Sequence, residues 1–307
     1  MNLSIAARVG MPASGLARGA VLILASEFFL VCSGMVVKYL HGTVSTEQTV
    51  FFRNLFGLLL LLPWLWRNGT RALKTDCIHL HFLRSFMGVT AMSCLFYAWA
   101  HLPLAEASLL KQTMPLFVPV VAFFWMGERL SWLNYVALGL GFAGILLVLN
   151  PTQETPVLNL AVLAGLVGAV MGGSTKVSIR RMRSVEEPAQ RVVFYFALFG
   201  TLLSVVPAGM DWLPLDWNAA LWLFLLGITA TLAQLLLTAA YGYAPAGQLG
   251  AFTYASVIFA AILGWWLWDE TLSLLAVTGM CVIIAAGLLV MLGQPRSKPV
   301  PTACKAC

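Results

Sequence analysis

The sequence predicts an all-α polytopic membrane protein whose ten transmembrane helices form two inverted five-helix repeats. Three observations carry that reading. The first is composition: of 307 residues, 60% are hydrophobic and only 10% charged, and the mean hydropathy is +0.88. A soluble domain carries about 25% charged residues. Apolar runs long enough to cross a hydrocarbon core of ~30 Å recur along the whole chain, where a transmembrane barrel would show alternating segments of ~10 residues. The second is the placement of Lys and Arg in alternate loops. The third is an internal duplication. Pro103 to Leu130 is repeated, 142 residues later, as Pro245 to Leu272, with Phe117 on Phe259, Glu128 on Glu270 and Ser131 on Ser273.

Taken in order, residues 1–18 are a polar and basic cytoplasmic lead. The first repeat, 19–150, holds spans at about 19–40, 46–66, 78–100, 104–126 and 131–149, each ~20 residues as a crossing helix requires. The second, 157–292, holds spans at about 157–179, 190–208, 217–240, 246–268 and 272–292. Residues 293–307 are a polar cytoplasmic tail. The first apolar run is long enough to remain as a span rather than serve as a cleaved signal. With the N-terminus inside, thirteen Lys and Arg, from Arg8 to Lys305, fall in inner segments and only Lys38 falls outside. That bias sets both termini in the cytoplasm. It also accounts for the net charge of +6 without a nucleic-acid partner.

The repeat extends beyond its best-matching stretch. Lys38 registers on Arg180, Leu55-Phe56-Gly57 on Leu198-Phe199-Gly200, and Leu146-Leu147-Val148 on Leu288-Leu289-Val290. Each copy has five spans, an odd number, so the second copy is upside down relative to the first. Inverted repeats characterise secondary transporters, with the solute site near the midplane between the halves.

Ionisable residues inside spans cost about 2.5–3.5 kcal/mol each at a helix centre and usually face a cavity or a partner. Lys111 and Arg53 both lie about seven residues, ~10 Å, from the predicted outer face. Together they read as a clamp for a carboxylate or phosphate, with snorkelling to headgroups as the other possibility for each. Glu27 and Arg84 fall at matching depths on the inner half. They read as an ion pair that either fixes helix packing or serves coupling or gating, and a buried Glu27 would also suit a coupling proton. Lys176 reads as snorkelling, and Glu106 as a charge at a helix start. Tyr97, Trp99, Tyr241 and Tyr254 are candidate walls for an organic solute. Tyr254 registers on Gln112, beside Lys111, so the two are expected to face each other across the pseudo-twofold.

Enzyme chemistry finds little support. No Gly-x-x-x-x-Gly-Lys-[Ser/Thr] loop is present to bind a nucleotide, and no cofactor is expected. His79-x-His81 is too short a constellation for a metal and reads as solvated. Cys304 and Cys307 form a lone C-x-x-C without the second pair that a zinc site needs.

The stretch LRSFMGVTAMSCLFYAWAHLPLAEASLLKQTMPLFVPVVAFFWMGERLS at 83–131, with Phe52-Arg53 opening the second span, resembles the EamA-type branch of the drug/metabolite transporter superfamily. The resemblance covers nearly the whole chain. It implies a basket of inverted repeats in which the third, fourth, eighth and ninth spans line a central cavity. Tyr97, Lys111 and Tyr254 then fall on lining helices. Lysine at 111 departs from the apolar or small polar residues usual there, and so marks a carboxylate-bearing solute. The implied function is export of an amino acid or amino-acid-derived compound, an opine-type metal chelator among them, from the bacterial cytoplasm across the inner membrane. Import of a nucleotide-like or flavin solute is the alternative. A non-transporting membrane scaffold or intramembrane enzyme is the alternative of another class.

Overall fold

The computed structural model describes residues 13–126, 132–149, 160–183, 189–243 and 250–293, and these form eleven α-helices. They are α1 (Ala13–Tyr39), α2 (Thr46–Asn68), α3 (Ile78–His101), α4 (Leu104–Gln112), α5 (Met114–Met126) and α6 (Trp132–Leu149) in the first half. The second half has α7 (Leu160–Arg183), α8 (Ala189–Met210), α9 (Trp217–Tyr243), α10 (Ala255–Trp268) and α11 (Leu274–Gly293). The Gly127-Glu128-Arg129-Leu130 motif and the Cys304–Cys307 tail lie outside the described residues.

These helices make the ten predicted spans, because α4 and α5 are two pieces of one crossing. Six segments, 104–125 among them, are long and apolar enough to cross a bilayer, and 135–147, 252–268 and 274–289 are shorter apolar helices. The tenth is α3, which is diluted by His79, His81 and Arg84 but is 24 residues long. Large apolar side chains such as Phe124, Trp132, Trp217, Trp266 and Leu274 are exposed on the outside of the bundle, where lipid rather than water is the solvent.

Helix pairing follows the inverted repeat. The strongest contacts are α1 with α9, α3 with α7, α2 with α8 and α6 with α11, followed equally by α2 with α9, α3 with α8 and α5 with α7. A pseudo-twofold that exchanges the five-span halves maps α1–α9 onto α3–α7 and α2–α9 onto α3–α8. It maps α2–α8, α6–α11 and the α4–α10 contact onto themselves. Small residues permit the close crossings. A Cβ on Gly144 of α6 would meet the Gly279 carbonyl of α11 at 3.0 Å, and one on Gly168 of α7 would meet Cys94 Cβ of α3 at 3.1 Å, as expected where lipid gives no hydrophobic drive to helix association.

The apolar core is unevenly distributed. Call the face at which α1 ends and α2 begins the closed face. One large buried cluster gathers Val36, Phe96, Trp99, Leu109, Leu223 and Ile283, among others, from the halves of their helices nearest that face. Toward the opposite face, the described residues split into small separate groups. Ile23 packs with Ala240, Leu116 with Ala137 and Ala286, Leu61 with Val193 and Phe194, and Cys77 with Leu80. Among the described residues the buried apolar packing is therefore continuous toward one face and divided into smaller groups toward the other, which we call the opposite face.

Candidate functional site

Two helix breaks sit at the centre. Pro115 has no N–H to continue the α4 ladder, so the chain tightens: Thr113 donates its N–H to the Leu110 carbonyl at 3.1 Å and its hydroxyl to the same oxygen at 2.6 Å. The helix restarts at Met114, with Pro115 in the first turn where proline is tolerated. In the second half a 3₁₀ turn, Gly250–Tyr254, gives way to α10 at Ala255. At the 142-residue offset, Gln112 registers on Tyr254 and Thr113 on Ala255, so the two breaks are repeat-mates. They are also bonded. Gln112 Nε2 donates to the Thr253 carbonyl at 2.5 Å and to Ser256 Oγ at 2.6 Å. Discontinuous helices meeting at the repeat interface are the usual frame of a transporter's solute site.

Beside this junction Lys111 Nζ donates to Glu27 Oε2 at 2.8 Å, with the carboxylate buried and the ammonium nearly so. This pairing corrects two expectations, the Lys111–Arg53 clamp and the Glu27–Arg84 pair. The reason is a match of levels. Glu27 lies at the middle of the 27-residue α1. Lys111 closes the short α4 and reaches it there. Lys176 of α7 is exposed, close enough to Lys111 and Glu27 to interact electrostatically with both.

The closed face is held by a charged latch between the repeats. Lys38, at the end of α1, forms an ion pair with Glu270 and donates to the Leu102 carbonyl at 3.0 Å. The other Glu270 oxygen accepts the Leu104 N–H at 2.8 Å, which caps α4, since its N-cap Pro103 offers no side-chain bond. A left-handed turn at Asp269 (φ 53°) ends α10 and returns Glu270 over Gly264, against which its carboxylate lies directly. Gly264→Ala should therefore push the carboxylate aside and weaken the latch. The expected reading is increased modification by a soluble thiol reagent of a cysteine placed just beneath it. His41 and His101 cover the latch with rings 4.6 Å apart. Burial and the neighbouring His101 and Lys38 hold the His41 imidazole below its ordinary pKa range, so it is neutral at pH 7. Lys38 was legible as the one cation against the charge bias, and Glu270 as a repeated motif residue, but nothing in the sequence joined them.

The remaining predicted residues divide between core and interior. Trp99 is a core residue, 1% exposed, stacked on Phe96, donating to Ser108 at 3.2 Å and packed on Gly34, so in this state it walls no cavity. Tyr97 is half-buried and stacks on His101 near the closed face. Tyr254 is buried with its hydroxyl unbonded and pressed against Gly287 of α11. Gly287→Ala should lower thermal stability and Tyr254→Phe should not, because only the former adds atoms to a filled space. Tyr241 falls in the last turn of α9, with its side chain outside the described residues. His81, expected to be solvated, is buried with its ring 4.8 Å from that of Tyr195. Arg53 and Arg84 are both 6% exposed and both lie over the Phe196 ring, at 5.4 and 4.8 Å.

Paired inverted repeats, facing helix breaks and an ion-paired latch at one face define a multi-pass membrane transporter. The chain belongs to the EamA-like transporter family, whose model matches residues 17–150 and again 159–292. It is 31% identical over 277 residues to the pseudopaline exporter of Pseudomonas aeruginosa, covering 87% of this chain and 94% of that one. It is 27% identical over 263 residues to the S-adenosylmethionine uptake transporter of Rickettsia bellii, covering 85% and 88%. A solved crystal structure superposes with TM-score 0.59 at 21% identity, covering 91% of this chain and 97% of the other, a likeness of fold.

Proposed function

We propose that this transporter is a secondary carrier in the bacterial inner membrane that exports a small carboxylate-bearing metabolite, an amino acid or amino-acid-derived compound, by alternating access. The observation that carries the reading is the buried Lys111–Glu27 ion pair beside the two facing helix breaks, with the Lys38–Glu270 latch at one face. With both termini cytoplasmic, the opposite face is the cytoplasmic one and the latch lies at the outer face. Closure of the cytoplasmic face has mirror-image charges to use, since the repeat registers Arg180 on Lys38 and Glu128 on Glu270. Lys111 receives an acidic group when Glu27 releases it. Protonation of Glu27 is the releasing event, which couples solute movement to a proton. The likeness to a pseudopaline exporter supports export. The likeness to S-adenosylmethionine uptake transporters supports the second reading, import of a nucleotide-like solute.

A thermal-stability screen of purified protein against amino acids, opine-type chelators, nucleotides and flavins tests the solute class, because a ligand bound only to the folded state stabilises it by mass action. Stabilisation by acidic amino-acid derivatives, with accumulation of the same compounds in inside-out vesicles, is the expected result. Stabilisation by nucleotides or flavins alone would move the reading to the alternative.

A further inference from the structure

Building on the carboxylate-transport reading, we propose that Arg53 and Arg84, stacked on Phe196, form a second anion site that receives a carboxylate of the solute, separate from Lys111. Both guanidiniums are buried among helices α2, α3, α8 and α9. No carboxylate pairs with either one among the described residues, whereas Lys111 and Lys38 each have a glutamate. Arg53 Nη1 donates to Asn54 Oδ1 at 2.9 Å, a neutral acceptor. Arg84 Nε and Nη1 are buried with no hydrogen-bond partner. Phe196 attracts both cations through its ring face but neutralises neither. The shared ring brings the guanidinium carbons within about 10 Å of each other, so the two like charges repel across a poorly screened interior.

Two unneutralised cations inside a bundle are tolerated where an anion visits. A small gap of about 10 Å³, no more than the room of one water, adjoins Arg53, lined by Leu61, Val193 and Ala197 as well as Gly57, Phe196, Thr231 and Gln234. A hydroxyl and an amide thus stand beside the guanidinium, and Gly57 leaves the space that a side chain would take from Thr231. The register supports a central position. At the offset of 143 that aligns Gly57 with Gly200, Arg53 is the repeat-mate of Phe196, so their contact lies close to the pseudo-twofold. There α2 and α8 cross so tightly that a Cβ on Gly200 would meet Asn54 Oδ1 at 2.7 Å. A guanidinium offers a planar fork of donors to a carboxylate. A solute carrying two acidic groups would engage this site with one and Lys111 with the other.

The test is saturable binding of glutamate and citrate to the purified protein in chloride-free buffer, read by thermal shift and by exchange in proteoliposomes. Wild type is compared with R53Q, R84Q, R53K, R84K and K111M/E27L. The expected result is an apparent Kd raised at least tenfold in R84Q and R53Q, and partly recovered in the lysine variants, which keep the charge and lose the fork. The lysine variants also keep the test open should either glutamine variant fail to fold. In K111M/E27L, citrate affinity drops while stabilisation by a monocarboxylate survives. Unchanged Kd values in folded Arg variants, with wild-type transport intact, would overturn the second site and leave the function standing. Equal protection by chloride or sulfate would show a resident inorganic anion and overturn the solute assignment. A wild type that neither binds nor moves any carboxylate probe would overturn both.

Discussion

Glu27→Gln should reduce solute accumulation driven by a pH gradient at least tenfold, while solute exchange at equal pH persists. The carboxylate is buried at the centre of α1 with the Lys111 ammonium 2.8 Å away. As long as it is ionised it occupies Lys111, and the ammonium is unavailable to an acidic solute. In the proposed cycle, protonation of the carboxylate removes the competitor and breaks the pair, so the proton on Glu27 and the solute carboxylate on Lys111 are held at the same time and move together. Glutamine fixes the protonated condition: the solute still binds, but no proton is moved. Stability separates this from a purely structural role. Removing one partner of a buried pair costs about 3–5 kcal/mol, whereas replacing both by apolar groups is often neutral or stabilising. E27Q should therefore melt lower than wild type, and K111M/E27L should melt near it or above while transporting nothing. Proteoliposome flux with and without an imposed pH gradient, beside thermal unfolding in detergent, reads both. Full pH-driven transport by E27Q would remove Glu27 from the coupling step.

The fold was legible because lipid imposes it. Every span must be apolar and about 20 residues long, and duplication followed from repeated residues at one offset. What the sequence could not supply was depth and partner. Glu27 sits at the middle of α1 (Ala13–Tyr39), at the height where Lys111 ends α4, a match of levels between two helices that neither sequence segment carries by itself. Lys111 was placed correctly on its segment, but its partner is a property of packing: α4 meets α1, α7 and α10, while α2, which carries Arg53, packs on α8 and α9. Trp99 read as a wall because an aromatic at a helix end has the same pattern whether it faces a cavity or a core. Contacts with Gly34 of α1 and Ser108 of α4, on different helices, enclose its ring. The Gln112–Tyr254 expectation was nearer the mark, since registering the repeats locates the axis. Even so, the contact runs through the Thr253 carbonyl and Ser256 rather than through the Tyr254 hydroxyl.

Lys38→Ala should shift the protein toward a state open at the now-closed face. The change is expected as at least tenfold faster modification, from that face, of a cysteine placed beside Leu104. The latch joins three elements at once. Its ammonium pairs with Glu270 and bonds the Leu102 carbonyl, and Glu270 in turn caps the first N–H of α4. Deleting the cation removes the link from α1 and leaves a carboxylate with one donor. Glu270→Gln keeps a hydrogen bond to Leu104 but loses the charge, so its effect should be smaller and in the same direction. A tenfold change in the ratio of two states corresponds to ~1.4 kcal/mol, within reach of one such pair lost from a site only about 15% exposed. Because a carrier must pass through both states, a shift in either direction slows the cycle. K38A should therefore bind solute offered at the newly opened face faster than wild type, yet complete fewer turnovers. A variant with wild-type accessibility at both faces would show the pair to be packing rather than a gate. Recovery of the closed state on adding the swap K38E/E270K would show that the charge pair itself, whichever side carries the cation, sets the balance.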